Sequence, residues 1–153
     1  AELITDTLSF VHAEDELNDI RHHIDLPPSL PLVLLDKGLF RQALLNLFVN
    51  ARQAMADGGE LIVQAQRMGN HVEVTVTDTG VGMDEEAKAR CFDIYWSNKK
   101  QGTGLGLPTV RRIVEEHEGT IGLVSERGRG TSIRVVLPLA VEITSQASHE
   151  ESS

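Results

Sequence analysis

Residues 36–80, DKGLFRQALLNLFVNARQAMADGGELIVQAQRMGNHVEVTVTDTG, change their hydrophobic period once, and that change decides the fold. In the first half Leu39, Phe40, Ala43, Leu44, Leu47, Phe48 and Ala51 recur at helical spacing as far as Met55, the pattern of a helix with one apolar face. Asp36 stands where an N-cap carboxylate accepts from the first free N–H groups of that helix. Asp57-Gly58-Gly59 ends it with turn chemistry. In the second half 61–65 and 72–77 read as strands, joined as a hairpin through Gly69-Asn70.

Working outward, residues 3–11 are weakly helical, and Glu14, Asp15 and Glu16 break that pattern with a charge run. Residues 19–26 resemble a short strand closed by Pro27, Pro28 and Pro31. On the other side, 80–106 is a long loop rich in Gly and charge, with one short helical piece near 84–90. Loops of that length in compact domains are usually functional or disordered. Residues 107–117 form an amphipathic helix through Val110, Ile113 and Val114, with Gly119 just past its end. A last hairpin pairs 120–124 with 132–137 through Gly128-Arg129-Gly130, and 142–153 is a polar tail with little to bury. Paired strands with helices between them imply an α+β fold, a two-layer sandwich whose helices cover one face of a mostly antiparallel sheet. The domain is expected over 19–141, with 1–18 as the end of a preceding linker helix.

A length of 153 residues suits one domain, and 41% hydrophobic with 24% charged residues is ordinary globular composition. Cys91 is the sole cysteine, which excludes a disulfide framework and a four-cysteine zinc site. The longest apolar run, 135–141, contains Pro138 and falls far short of the ~20 residues a membrane helix needs. No secretory leader is legible. A soluble domain in a reducing, cytoplasmic setting is expected, making no membrane contact itself even where its parent is membrane-anchored. The net charge of −9 disfavours a nucleic-acid partner. Between Lys88 and Arg134, however, nine basic residues face five acidic ones. A local positive field within an acidic protein suits a small polyanion, although on charge alone a solvated basic face is the favoured reading.

Three segments carry chemistry: Asn46-Leu47-Phe48-Val49-Asn50-Ala51, Asp78-Thr79-Gly80-Val81-Gly82-Met83 and Gly102-Thr103-Gly104-Leu105-Gly106-Leu107. Asn46 and Asn50 are one turn apart and share a helix face with Ala43 and Ala54, small residues expected to leave space above the helix for a ligand. An asparagine carbonyl is a neutral hard donor suited to Mg²⁺, which takes its other ligands from water and phosphates; the plainer reading is that both amides satisfy nearby backbone. Asp78 ends a strand, where its carboxylate can accept from an exocyclic amine such as adenine N6. Guanine presents a carbonyl there and is repelled. Asp78-Thr79-Gly80 in isolation is also an ordinary Asx turn. The segment from Gly102 to Leu107 opens a helix, so its free N–H groups suit phosphates, with Lys99 and Lys100 just upstream to meet a terminal phosphate. It is neither a Walker loop nor a dinucleotide fingerprint, and a glycine loop alone is often only a linker.

Together these segments resemble the ATP-binding domain of bacterial sensor histidine kinases, within the superfamily of gyrase, heat-shock chaperone, mismatch-repair and histidine-kinase ATPases. The resemblance covers residues 36–139 and implies a Bergerat-type ATP-binding fold with ATP and Mg²⁺ as cofactors. It assigns Asn46, Asn50, Ala51 and Gln53 to the N box, with Asn50 at the magnesium position. It assigns Asp78, Gly80, Val81, Gly82 and Met83 to the first glycine box, with Asp78 at the adenine-binding position. Gly102, Thr103, Gly104, Leu105, Gly106 and Leu107 match the second glycine box, and Thr131 belongs to the closing glycine-threonine turn. Phe92 to Lys99 is similar to the phenylalanine-containing lid, with Lys99 beside the reacting phosphate and Asn50 as its catalytic partner. The pairing of Lys99 with the second glycine box is most similar to the nitrogen-regulation subgroup.

The chain departs from this family pattern at Ile94, Ser97 and Asn98 in the lid, at Pro108, and at Glu118, where glycine is common. Superfamily members that hydrolyse ATP resemble one another in having Glu four residues before the magnesium asparagine; here Asn46 stands there and cannot serve as a general base. A histidine nucleophile needs no such base. None of the six histidines sits in an acceptor-helix pattern; His117-Glu118 comes nearest but ends a helix. The resemblance therefore implies the catalytic part of a homodimeric kinase. Its partners are a dimerisation/phosphoacceptor domain outside this chain and a response regulator, and the piece itself is expected to be a monomer. The alternative is a degenerate nucleotide-binding or interaction module without catalysis.

Overall fold

The structure, a computed structural model, describes residues 2–30, 33–93 and 106–139. The described residues form four helices, α1 (Glu2–Leu17), α2 (Lys37–Ala54), α3 (Glu85–Arg90) and α4 (Gly106–Glu116), and five strands. The strands are β1 (Ile20–Asp25), β2 (Gly59–Met68), β3 (His71–Asp78), β4 (Thr120–Glu126) and β5 (Gly130–Pro138). They form one sheet in the order β1-β2-β3-β5-β4, parallel only between β1 and β2. The expected two-layer α+β sandwich is the observed one.

Period-two patterning places Leu61, Val63 and Ala65 of β2, Val72, Val74 and Val76 of β3, and Ile133, Val135 and Leu137 of β5 on one buried face. That face meets Phe40, Ala43, Leu44, Leu47, Phe48 and Ala51 of α2 and Val110, Ile113 and Val114 of α4 in a single core. Burial of each large aliphatic or aromatic side chain here contributes about 1.5–3 kcal/mol. Asp36 caps α2 as expected, its carboxylate accepting from the Leu39 amide at 3.0 Å.

Two expectations need correction. The acidic triplet does not break α1, which runs through it to Leu17. Asp15 turns inward, 1% exposed, with the Arg52 Nε donating to one carboxylate oxygen at 2.6 Å and the His22 Nε2 2.6 Å from the other. Glu14 adds an ion pair to Arg52 at 3.0 Å. These partners on α2 and β1 offset the desolvation of Asp15, while Ile4, Leu8 and Val11 of α1 enter the main core. Second, Ala43 does not leave room for a ligand above α2; it is buried in that core.

Helix α4 closes with paired bonds, Glu118 N–H to the Glu115 carbonyl at 3.0 Å and Gly119 N–H to the Val114 carbonyl at 2.9 Å. In this arrangement the left-handed position falls on Glu118, at φ 60°, not on Gly119. Gly119 is needed for another reason: a Cβ there would strike the Val136 carbonyl. Just before it, His117 donates from Nδ1 to the Ile113 carbonyl at 2.7 Å and accepts the Asp36 N–H on Nε2 at 2.9 Å. Both ring nitrogens tie the end of α4 to the start of α2. The left-handed geometry at Glu118 costs an L-residue roughly 1 kcal/mol. Glu118→Gly should therefore raise the unfolding free energy by about that amount, seen as a higher urea midpoint at constant m-value; an unchanged or lower midpoint would contradict the helix-end assignment.

Candidate functional site

The strand register lays residues from four strands side by side in rows on the helix-facing side of the sheet. Two successive rows are apolar: Ala65, Val74, Val135 and Ile121, then Val63, Val76, Ile133 and Leu123. The next row reads Leu61, Asp78, Thr131 and Ser125. Its three polar members are 4%, 5% and 7% exposed. Buried polar groups persist only where they are partnered, and each one is. Asp78 Oδ1 accepts the Gly80 N–H at 2.9 Å, so the Asx turn and a carboxylate at the strand end are one arrangement. Ser125 Oγ lies 2.8 Å from the Thr131 hydroxyl and 3.0 Å from the Gly130 carbonyl it donates to.

The chain leaving Asp78 threads between the end of α2 and the β4–β5 turn. Val81 N–H donates to the Ala54 carbonyl at 3.0 Å, Gly128 N–H to the Val81 carbonyl at 2.7 Å, and Met83 N–H to Ser125 Oγ at 2.8 Å. Thr79 Oγ1 accepts the Glu60 N–H at 3.0 Å. Two glycines make this passage possible. A Cβ on Gly80 would collide with the Ala54 carbonyl, and Gly82, at φ +71°, passes against the Glu126 carbonyl. The glycine loop is thus pinned one helical turn from Asn50.

Asn46 and Asn50 are half-buried on α2, with Ala54 at its C-terminal end beside the loop. Ala51 faces the core and Gln53 faces solvent. Val81 is exposed, whereas Gly82 and Met83 are intermediate. Gly106 begins α4, with no atom of the described residues within 4 Å of where a Cβ would lie, and Leu107 is buried in the core. The structure therefore brings Asp78, the first glycine loop and Thr131 together beside the C-terminal end of α2, with Asn50 one turn and Asn46 two turns back along that helix. Lys99, Gly102, Thr103, Gly104 and Leu105, with Ile94, Ser97 and Asn98, lie outside the described residues. Ser125 escaped the sequence reading, although its phase with Ile121 and Leu123 marks it as inward-facing. Cys91 is no nucleophile for this site: it is buried, and burial pushes its thiol pKa up.

A sheet backed by helices on one face, ending in a buried polar row against a glycine loop, defines a two-layer α+β domain. The chain belongs to the histidine kinase-, DNA gyrase B-, and HSP90-like ATPase family, whose model matches residues 35–141. It is 32% identical over 139 residues to sporulation kinase E of Bacillus subtilis, covering 90% of this chain and 19% of that protein. It is 35% identical over 139 residues to the sensor histidine kinase ZraS of Escherichia coli, covering 91% of this chain and 30% of that protein. The catalytic domain of the histidine kinase ThkA superimposes with a TM-score of 0.80 at 28% identity, covering 90% of this chain and 91% of that one. The chain is thus similar across its length to a histidine-kinase catalytic domain and spans less than a third of these longer kinases.

If Asp78 receives the adenine amine, Asp78→Asn replaces a charged acceptor with a neutral one while keeping an oxygen for the Gly80 N–H. A charge-assisted hydrogen bond contributes roughly 1.5–3 kcal/mol, so ATP affinity measured by calorimetry should fall about 10- to 150-fold with the melting temperature little changed. Wild-type affinity in a folded variant would remove Asp78 from the pocket.

Proposed function

We propose that this domain binds ATP with Mg²⁺ and donates the γ-phosphate to a histidine on a dimerisation/phosphoacceptor domain of its parent kinase, from which a response regulator then takes it. The observation that carries this reading is the buried Asp78–Thr131 pair, held against a glycine loop that is bonded to Ala54, one helical turn from Asn50. Asp78 sits at a strand end, where its carboxylate accepts the adenine amine. Asn50, half-buried and one turn from Ala54, offers the hard amide oxygen that magnesium accepts. Among the described residues no group of three His, Cys, Asp or Glu is placed to hold a metal ion. A donor set of one asparagine fits an ion that takes its remaining ligands from phosphates and water. When bound, the ion neutralises and orients the phosphates, on which phosphoryl transfer chiefly depends.

Gly106 and Leu107 bring backbone N–H groups to the positive end of the 11-residue helix α4, and Pro108 brings none. Those N–H groups suit the phosphates, with Lys99 and the segment from Gly102 to Leu105 preceding them in the chain. Asn46 separates this site from water-attacking relatives. An amide takes no proton at neutral pH, so the position supplies no general base for hydrolysis. A neutral imidazole attacks without one. Neither His22 nor His117 is available as that nucleophile: the first is held on Asp15, and the second has both ring nitrogens engaged. None of the six histidines lies in an acceptor-helix pattern, and the likeness to histidine kinases puts the acceptor on a partner domain, in a parent that acts as a homodimer.

The test mixes the chain with a separately produced dimerisation/phosphoacceptor domain of its parent and radiolabelled ATP-Mg²⁺. Acid-labile phosphate should appear on the acceptor domain, with almost none on the chain alone and little hydrolysis. Asn50→Ala removes the metal ligand, and Asn50→Asp places a negative charge beside a polyanion. Each should reduce transfer at least 100-fold, about 3 kcal/mol, without unfolding the domain. Transfer at the wild-type rate in either variant, or robust hydrolysis by the chain alone, would overturn the reading.

A further inference from the structure

Ser125 stands where the glycine loop, β4 and β5 meet, and its hydroxyl has three close neighbours. They are the Met83 amide nitrogen at 2.8 Å, the Gly130 carbonyl oxygen at 3.0 Å and the Thr131 hydroxyl at 2.8 Å. A serine hydroxyl has one proton and two lone pairs. Met83 N–H occupies one lone pair. The Gly130 carbonyl has no proton to give, so it takes the serine's. The remaining lone pair accepts from Thr131. This is the one distribution in which all three contacts are hydrogen bonds. If Ser125 gave its proton to Thr131 instead, two oxygen lone pairs would face each other at 3.0 Å in a site only 7% exposed.

The consequence falls on Thr131. With its single proton spent on Ser125, its oxygen shows only lone pairs to the rest of the site. Thr131 is the cross-strand partner of Asp78, and both side chains are buried on the same side of the sheet. We infer that Ser125 is a specificity-determining positioning residue: by taking the Thr131 proton it makes that hydroxyl an obligate acceptor beside the Asp78 carboxylate. The base-reading end of the site then offers two acceptors. It favours a base edge bearing an amine, as in adenine, and rejects one bearing a carbonyl, as in hypoxanthine or guanine. This rests on the nucleotide reading of Asp78 given above. Without Ser125 the Thr131 hydroxyl is free to rotate and donate, and a carbonyl is tolerated.

The test is competition binding of ATP and inosine triphosphate, which carries a carbonyl in place of the amine, to the 153-residue chain. Wild type, Ser125→Ala, Ser125→Cys, Ser125→Thr and Asp78→Asn are compared, each with a thermal melt. The preference for ATP over inosine triphosphate should fall about 3- to 10-fold in Ser125→Ala, the value of one neutral hydrogen bond. It should fall less in Ser125→Cys, whose thiol bonds weakly in a similar volume, and stay at the wild-type value in Ser125→Thr. Should Ser125→Ala not fold, the cysteine variant decides the matter alone. Equal weakening of both nucleotides, or an unchanged preference in Ser125→Cys, would overturn the inference and leave Ser125 a structural residue. If Asp78→Asn alters neither nucleotide, the pocket reading itself fails; if it narrows the preference while the Ser125 variants do not, only the role of Ser125 fails.

Discussion

A carboxylate and two hydroxyls are buried in one cross-strand row, and each must find a partner. Much of the site's construction follows from that constraint. Asp78 meets it through the Gly80 amide, Ser125 through Met83 and Gly130, and Thr131 through Ser125. Two of these partners are amides of the glycine loop, which passes so close to the Ala54 and Glu126 carbonyls that Gly80 and Gly82 can carry no side chain. The apolar rows next to this one hold the strands in register, so that three polar groups from three strands converge at one end. A slip of one residue between β3 and β5 would turn Thr131 to the other face and dismantle the row.

The helices contribute by holding α2 from both flanks. Toward α1, Arg52 is drawn onto the buried Asp15, which also engages His22 of β1. Toward α4, His117 takes the Asp36 amide at the start of α2 and packs edge-on against Phe40. Breaking a buried ion pair by removing one partner is strongly destabilising, whereas the intact pair contributes little net stability. Its effect here is to define one position for α2, and hence for Asn46 and Asn50, against the glycine loop. The same helix that fills the core with Phe48 and Leu47 thereby carries Asn46 and Asn50, so these side chains stand on a rigid, close-packed element.

What the sequence made legible follows from how local each signal is. The α2 pattern, its Asp36 cap and the β2–β3 hairpin rest on neighbours within a few residues, and they stand in the structure as read. The extent of α1 was not legible, because a run of three acids reads as solvated unless the partners of Asp15, at positions 22 and 52, are known to surround it. The parallel pairing of β1 with β2 joins Ile20 to Gly59 across a whole helix and leaves no local trace. At the site, Asp78 and its glycines announced themselves as a strand end followed by a turn. Ser125 became visible only once the β4–β5 register placed it opposite Thr131. Glu118 was marked as a departure from glycine, and its positive φ gives the reason glycine is favoured there.

The central claim is that the polar end of the sheet, and not its opposite end, receives the base of the nucleotide. Amide chemical shifts of the labelled chain during titration with ATP-Mg²⁺ test it directly. The resonances of Gly80, Gly82, Met83, Ser125 and Thr131 should move together and saturate with one affinity, while Met68, Asn70 and His71 at the far hairpin stay in place. Shifts concentrated at the far hairpin, or a glycine loop that does not respond to saturating nucleotide, would contradict the account.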